Sequence, residues 1–201
     1  MPAPAPGSGL RLSGGARELI YHGHVGHLLL ANIPHVIRVR IVADMEYRIR
    51  AAMEQARMKR EEALAHILRV DEDRSRWARL LYGVDWTDPT QHGAVLNLSQ
   101  MSVAGACETI ARMAELEEFK PTAESQKRFD DLRLSCRVWA ALSKSPETRS
   151  AGIQVTADGG DVLIRGSVGS SKALESIPRI AAAVEGVKSL RCEAGLGTDW
   201  Y

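Results

Sequence analysis

The chain has 201 residues, enough for one large or two small domains, and its 45% hydrophobic and 25% charged residues are those of an ordinary globular protein. A formal net charge of +1 excludes a strong overall pull toward nucleic acid or an anionic membrane. The cysteines, Cys107, Cys136 and Cys192, are widely spaced with no CxxC pair, which speaks against a disulfide framework or a zinc site and fits a reducing, cytoplasmic setting.

Residues 1–16 are rich in Pro, Ala, Gly and Ser and read as a flexible tail, with no apolar stretch long enough for a signal peptide. From Arg17 to Leu30, apolar pieces flank a Gly/His-rich turn between Gly23 and Gly26, which predicts a strand, a tight turn and a short helix or strand. Val36 to Val42 alternates with β-branched residues and predicts a strand. Asp44 is placed to cap a helix over Met45–Met58, and a second helix is expected from Lys59 to Tyr82. Gly83-Val-Asp-Trp-Thr-Asp-Pro89 is a break rich in turn residues. A short buried strand at Ala94–Leu98 and a helix from Val103 to Leu116, capped by Ser102, complete a pattern expected of a parallel sheet with covering helices.

Polar residues and Pro121 mark a linker at 118–126, which sets off a second domain at 127–195 from a first at 17–117. The second domain opens with a helix over Lys127–Leu142. Ile153 to Val168 reads as two alternating strands joined at Asp158-Gly159-Gly160, a β-hairpin. A helix over Ser171–Val184, with Pro178 as a possible kink, and a strand over Val187–Cys192 finish an αββαβ unit.

The chemistry is concentrated in Leu68-Arg-Val-Asp-Glu-Asp-Arg-Ser-Arg-Trp-Ala-Arg79. On a helix of 3.6 residues per turn, Asp71 falls within the apolar stripe of Leu64, Ile67, Leu68, Ala78 and Tyr82. A carboxylate there is costly unless paired, and Arg74 is within reach at i+3. Two readings stay open: a plain helix salt bridge, or Arg74 and Arg76 projecting toward a polyphosphate while Asp71 orients a guanidinium, whose planar fork suits phosphate oxygens. Arg48 and Arg50 form a second cationic group, but residues two apart do not share a helix face, so at most one aims at a given ligand. His22, His24 and His27 have no nearby carboxylate or cysteine to complete a metal site, so lining a pocket is the expected role. No G-x-x-x-x-G-K-[ST] occurs, so no backbone amide cradle for the β- and γ-phosphates is expected.

Tyr21-His-Gly-His-Val-Gly-His-Leu-Leu-Leu30, Val39-Arg-Ile-Val-Ala-Asp-Met-Glu-Tyr-Arg-Ile-Arg50, Val70-Asp-Glu-Asp-Arg-Ser-Arg-Trp77 and Leu81-Tyr-Gly-Val-Asp-Trp-Thr-Asp-Pro89 resemble, in order and spacing, the C-terminal half of the cytidylate-kinase-like family. The resemblance covers about Tyr21 to Ala114. It implies an α/β fold, a partial P-loop nucleoside monophosphate kinase-like parallel sheet with a mobile helical lid. It also implies that Arg48 or Arg50, and Arg74 or Arg76, are lid arginines that neutralise a transferring phosphoryl group. In the complete family that transfer runs from ATP, with magnesium, to CMP or a similar monophosphate. Where the family often has an arginine binding the monophosphate, this chain has His24, whose neutral imidazole is a poorer phosphate partner. The family's N-terminal strand and P-loop would precede Arg17. Impaired catalysis is therefore expected, or an active site completed by another chain.

Lys127 to Ala194, with the hairpin, Gly166 and Gly186-Val-Lys-Ser-Leu190, resembles a BON domain, a small α+β module associated with phospholipid or other ligand binding. The resemblance implies an alternative function, a non-catalytic binding or adaptor protein in which this domain does the recognition. Lys172, Arg179, Lys188 and Arg191 are read as solvated surface charge. Finally, a partial parallel sheet is expected to leave apolar surface near Ile37, Ile41 and Val95, and hence to self-associate.

Overall fold

A computed structural model describes residues 20–23 and 26–197, and the chain divides between Lys120 and Pro121 into two compact units. The expected tail and His24 lie outside the described residues. Among the described residues no helix is long and apolar enough to cross a membrane.

The first unit begins with a short helix, α1 (Gly26–Leu29), where the sequence left helix and strand open. Strand β1 (Val39–Val42) is shorter than the expected strand over 36–42. Its parallel partner, β2 (Ala94–Asn97), begins opposite Val39, and of residues 36–38 Arg38 alone reaches it, its carbonyl accepting from Gly93 N at 2.8 Å. Asp44 caps α2 (Met45–Ala56), its Oδ1 accepting from the Tyr47 amide at 2.7 Å. Arg57, at φ 53°, turns the chain in the left-handed region and ends α2. Helix α3 (Arg60–Tyr82) then folds back on α2 around buried Ile49, Ala63 and Ile67. Gly83 closes α3 at φ 67°. Ser102 caps α4 (Val103–Glu115) by accepting from Gly105 N at 3.1 Å.

The apolar stripe read along α3 is only partly buried. Ile67 and Ala78 are interior, while Leu64 and Leu68 are exposed. The two-stranded sheet is likewise thinly covered. Val95 sits abreast of Arg40 and Ile41 abreast of Leu96, so by strand alternation Ile41 and Val95 point to opposite faces. Both are exposed, at 49% and 42%. Parallel strands normally lie buried on both faces, so each face of this sheet has apolar surface to lose to a neighbour.

In the second unit, α5 (Ala123–Lys144) begins earlier than the expected Lys127, within the stretch read as linker. Thr122 and Ser125 form a reciprocal cap: Thr122 Oγ1 accepts from Ser125 N at 3.1 Å and Ser125 Oγ accepts from Thr122 N at 2.9 Å. Residues 117–119 form a single 3₁₀ turn. The hairpin is β3 (Gly152–Asp158) and β4 (Asp161–Val168), antiparallel, with Gly159 and Gly160 at positive φ in its turn. Helix α6 (Ser171–Ala182) runs through Pro178 and returns the chain to β5 (Ser189–Leu196), parallel to β4. The sheet order is β3-β4-β5. One face of it packs on α5 and α6 through fully buried Val138, Leu142, Ile164 and Ile177. This unit has a continuous core, and the first has a small one between two helices.

Candidate functional site

Asp71 lies halfway along α3, and the first turn of α2 brings Arg48 across to it. The guanidinium makes two hydrogen bonds to the carboxylate, Nη1 to Oδ2 at 2.6 Å and Nη2 to Oδ1 at 2.8 Å. Arg74 approaches the same carboxylate at 3.7 Å, beyond hydrogen-bond distance. The sequence placed Asp71 and Arg74 together on one helix, but the closer partner comes from another helix. Arg48, Arg74 and Asp71 keep 32%, 31% and 30% of their side-chain surface exposed, so the cluster is half-buried.

The electrostatics separate the two arginines. The Arg48 hydrogen bonds hold the Asp71 carboxyl below the usual carboxylate range and raise Arg48 in return. Arg74 moves the other way: burial lowers its pKa, and Arg48 adds to that, with Asp71 opposing. Arg74 is thus a partly desolvated cation whose carboxylate is already engaged. A third guanidinium, Arg40 of β1, also acts on Asp71 through its charge. It donates to the Trp86 carbonyl at 2.6 Å and lies 4.7 Å over the Trp86 ring. Three guanidiniums around one hydrogen-bonded carboxylate leave an excess of positive charge in a half-buried place. Such an arrangement can attract an oxyanion.

The other arginines read from the sequence lie apart from this cluster. Arg76 faces solvent and pairs with Glu72 at 3.0 Å. Arg50 is exposed. Of the paired alternatives, the fold brings Arg48 and Arg74 together and leaves Arg50 and Arg76 out. Arg40 and Trp86 were missed. The signal for them was present, since both fall within the segments Val39–Arg50 and Leu81–Pro89, but their contact spans 46 residues and no local periodicity reveals it.

Of the three histidines expected to line a pocket, His24 lies outside the described residues and the other two part company. His27 stacks on His92, ring centroids 4.6 Å apart, while His22 is exposed. Burial first, then His92, Arg38 and Arg40, push the His27 pKa down to about 4, with Gln91 opposing. A depressed histidine pKa means that the unfolded chain binds the proton more tightly. Stability is therefore complete above pH 6.5 and is lost as pH falls toward 4. The full shift corresponds to at most about 3 kcal/mol. Urea midpoints at pH 7.5 and pH 5 should differ in the native chain, and the difference should shrink in His27→Gln. An equal acid loss in the variant would place the effect elsewhere.

The second unit has a shallow groove of about 470 Å³ between α5, the hairpin turn and Gly186. Its cations are engaged: Lys127 by Asp131 and Asp158, Arg133 by Asp130, and Arg137 by Glu185. The basic residues noted from the sequence are mostly paired too, Lys172 and Arg179 with Glu147 and Arg191 with Glu193. The groove thus offers no excess charge of the kind found around Asp71.

Comparison with known families agrees with the division of the chain. Residues 11–100 match the model of the cytidylate kinase-like family, starting earlier and ending sooner than the resemblance read from the sequence. Residues 130–193 match the BON domain. No curated protein matches the chain. Mixed helix and sheet in each unit fit an α/β region followed by a BON-type module. The chain joins a cytidylate-kinase-like region to a BON domain.

Proposed function

We propose that the cytidylate-kinase-like unit binds the phosphate groups of a nucleotide through Arg48 and Arg74, with Asp71 orienting Arg48. The observation that carries this reading is Arg74. Among the described residues it makes no hydrogen bond, although it is half-buried beside a second guanidinium. A guanidinium has five N–H donors in a planar fork, and phosphate oxygens match that fork. Asp71 supports the same reading: by fixing Arg48 in a bidentate pair it holds that side chain in one rotamer before any ligand arrives.

Within these 201 residues no G-x-x-x-x-G-K-[ST] occurs to cradle donor phosphates, and binding is what Arg48 and Arg74 support. The described residues of the site do not fit a bound magnesium ion, since Asp71 is spent on Arg48. ATP and CMP are the ligands to try first, because the resemblance read from the sequence implies that pair. Isothermal titration of the full chain with each is the test. Submillimolar ATP binding supports the reading, and no heat with either nucleotide contradicts it. The free cysteines support a reducing, cytoplasmic home for such a protein.

The same unit is proposed to self-associate through its two-stranded sheet, on the strength of exposed Ile41 and Val95 on opposite faces. Sedimentation velocity should show species larger than a monomer, and Val95→Lys should shift them toward the monomer. A native chain that sediments as a single monomeric species at all concentrations would contradict this.

A further inference from the structure

The loop between α3 and β2 has no part in the reading above, yet it is tied down along its length. Asp85 Oδ1 accepts from the amide and hydroxyl of Thr87 at 2.8 and 2.6 Å. Asp88 Oδ1 accepts from the amide and hydroxyl of Thr90 at 2.8 and 2.7 Å. Between these two turns stands Trp86. Its indole N–H donates to Ser75 Oγ at 3.0 Å, its carbonyl accepts from Arg40, and its ring lies under the Arg40 guanidinium. Arg74, next to Ser75 on α3, has its guanidinium 6.0 Å from the same ring. One indole therefore fastens a residue of β1 to a residue of α3 and lies beside two of the three cations around Asp71.

We propose that Trp86 is a positioning residue of the phosphate site and that it presents Arg40 as a third guanidinium to the anion bound by Arg48 and Arg74. The proposal rests on the phosphate-binding reading. A free arginine loses rotamer entropy when it grips a ligand, and a guanidinium already stacked on a ring and anchored to a carbonyl has lost most of it. The Trp86 carbonyl takes one of Arg40's N–H groups, and among the described residues no carboxylate is in salt-bridge contact with the rest. The nearby Asp85 carboxylate is occupied by Thr87. Three guanidiniums facing Asp71, with the Asp85 carboxylate also acting on Arg40, still leave an excess of positive charge, which matches a phosphate or pyrophosphate group. Ring stacking also fixes the direction in which Arg40's remaining donors point.

The test uses the full chain and inorganic pyrophosphate, titrated calorimetrically and by tryptophan emission. Arg40→Ala should weaken pyrophosphate binding about tenfold and flatten its salt dependence. Trp86→Ala should weaken it by a similar factor. Trp86→Phe keeps a ring and the backbone carbonyl and should bind within about threefold of the native chain. Pyrophosphate should change the emission of the native chain, and the change should vanish in Trp86→Phe although that variant binds. If Trp86→Ala unfolds, the Arg40→Ala and Trp86→Phe arms decide. Native-like pyrophosphate affinity in a folded Trp86→Ala and in Arg40→Ala, with Arg74→Ala still impaired, would overturn this inference and leave the phosphate-binding reading standing. No binding of pyrophosphate or ATP by the native chain would remove both.

Discussion

Replacing Arg74 by alanine is expected to weaken ATP binding by ten- to a hundredfold, about 1.5–3 kcal/mol, the value of a hydrogen bond to a charged group. The effect should be this large because Arg74 is the guanidinium that the fold leaves without a hydrogen-bonded partner among the described residues. Its donors are not diverted to Asp71, whose oxygens are taken by Arg48 at 2.6 and 2.8 Å. Folding should change little, because the 3.7 Å contact to Asp71 is a loose one, and removing a desolvated cation relieves repulsion from Arg48. Arg74→Lys keeps the charge but loses the planar fork, so it should recover only part of the affinity. Arg76→Ala and Arg50→Ala should bind ATP as the native chain does, since both side chains face solvent away from the cluster. Calorimetry on the four variants, with melting temperatures measured alongside, checks the pattern. A larger loss in Arg76→Ala than in Arg74→Ala would mean that the site has been placed on the wrong face of α3.

The second large effect is on folding. Gly166→Ala is expected to destabilise the BON unit by at least about 3 kcal/mol, enough to unfold a marginal small domain. Gly166 sits inside β4 opposite Ile153, with φ of 133°, a conformation that residues with a Cβ rarely adopt. An added Cβ would fall 2.1 Å from the Gly152 carbonyl oxygen and 2.9 Å from Ile153 Cα, both backbone atoms of the neighbouring strand. Neither can give way without parting β3 from β4, and these strands carry buried Ile153, Val155, Val162 and Ile164. Gly195 is the control. It lies in β5 with nothing within 4 Å of an added Cβ and no positive φ, so Gly195→Ala should stay within about 1 kcal/mol of the native chain. Urea unfolding followed by circular dichroism separates the two. Equal midpoints for both variants would show that the strand pair tolerates the displacement.

Much of this architecture could be read from local chemistry. Asp44 and Ser102 were legible as caps because a short acceptor side chain before an apolar run has few other uses, and both accept the expected amides. The hairpin was legible because period-two alternation on either side of Asp158-Gly159-Gly160 admits one register, and the strands pair in it. Where reading failed, the missing information was not local. Val36 to Arg38 has strand propensity but lies outside the paired register, which begins at Val39 opposite Ala94; Val36 N donates to Ile33 O in a turn instead. Composition makes the polar run before Lys127 look like a linker, although Thr122 and Ser125 carry a cap that starts a helix. The candidate site divides in the same way. Helical spacing singled out Asp71 and Arg74. It could not show that Arg48 crosses from α2 to take the carboxylate, nor that Arg40 and Trp86 meet across 46 residues of chain. The apolar stripe on α3 placed Leu64 and Leu68 inside because they share its phase, but burial depends on what packs above them, and both stay exposed.

The central claim is that the guanidiniums around Asp71 form a phosphate site. Titrating the native 201-residue chain with ATP at two ionic strengths tests it most directly. The account expects a dissociation constant below about 1 mM at low salt, near −4 kcal/mol, and weaker binding as salt rises. No measurable binding at low salt, or binding unaffected by both salt and Arg74→Ala, would contradict it.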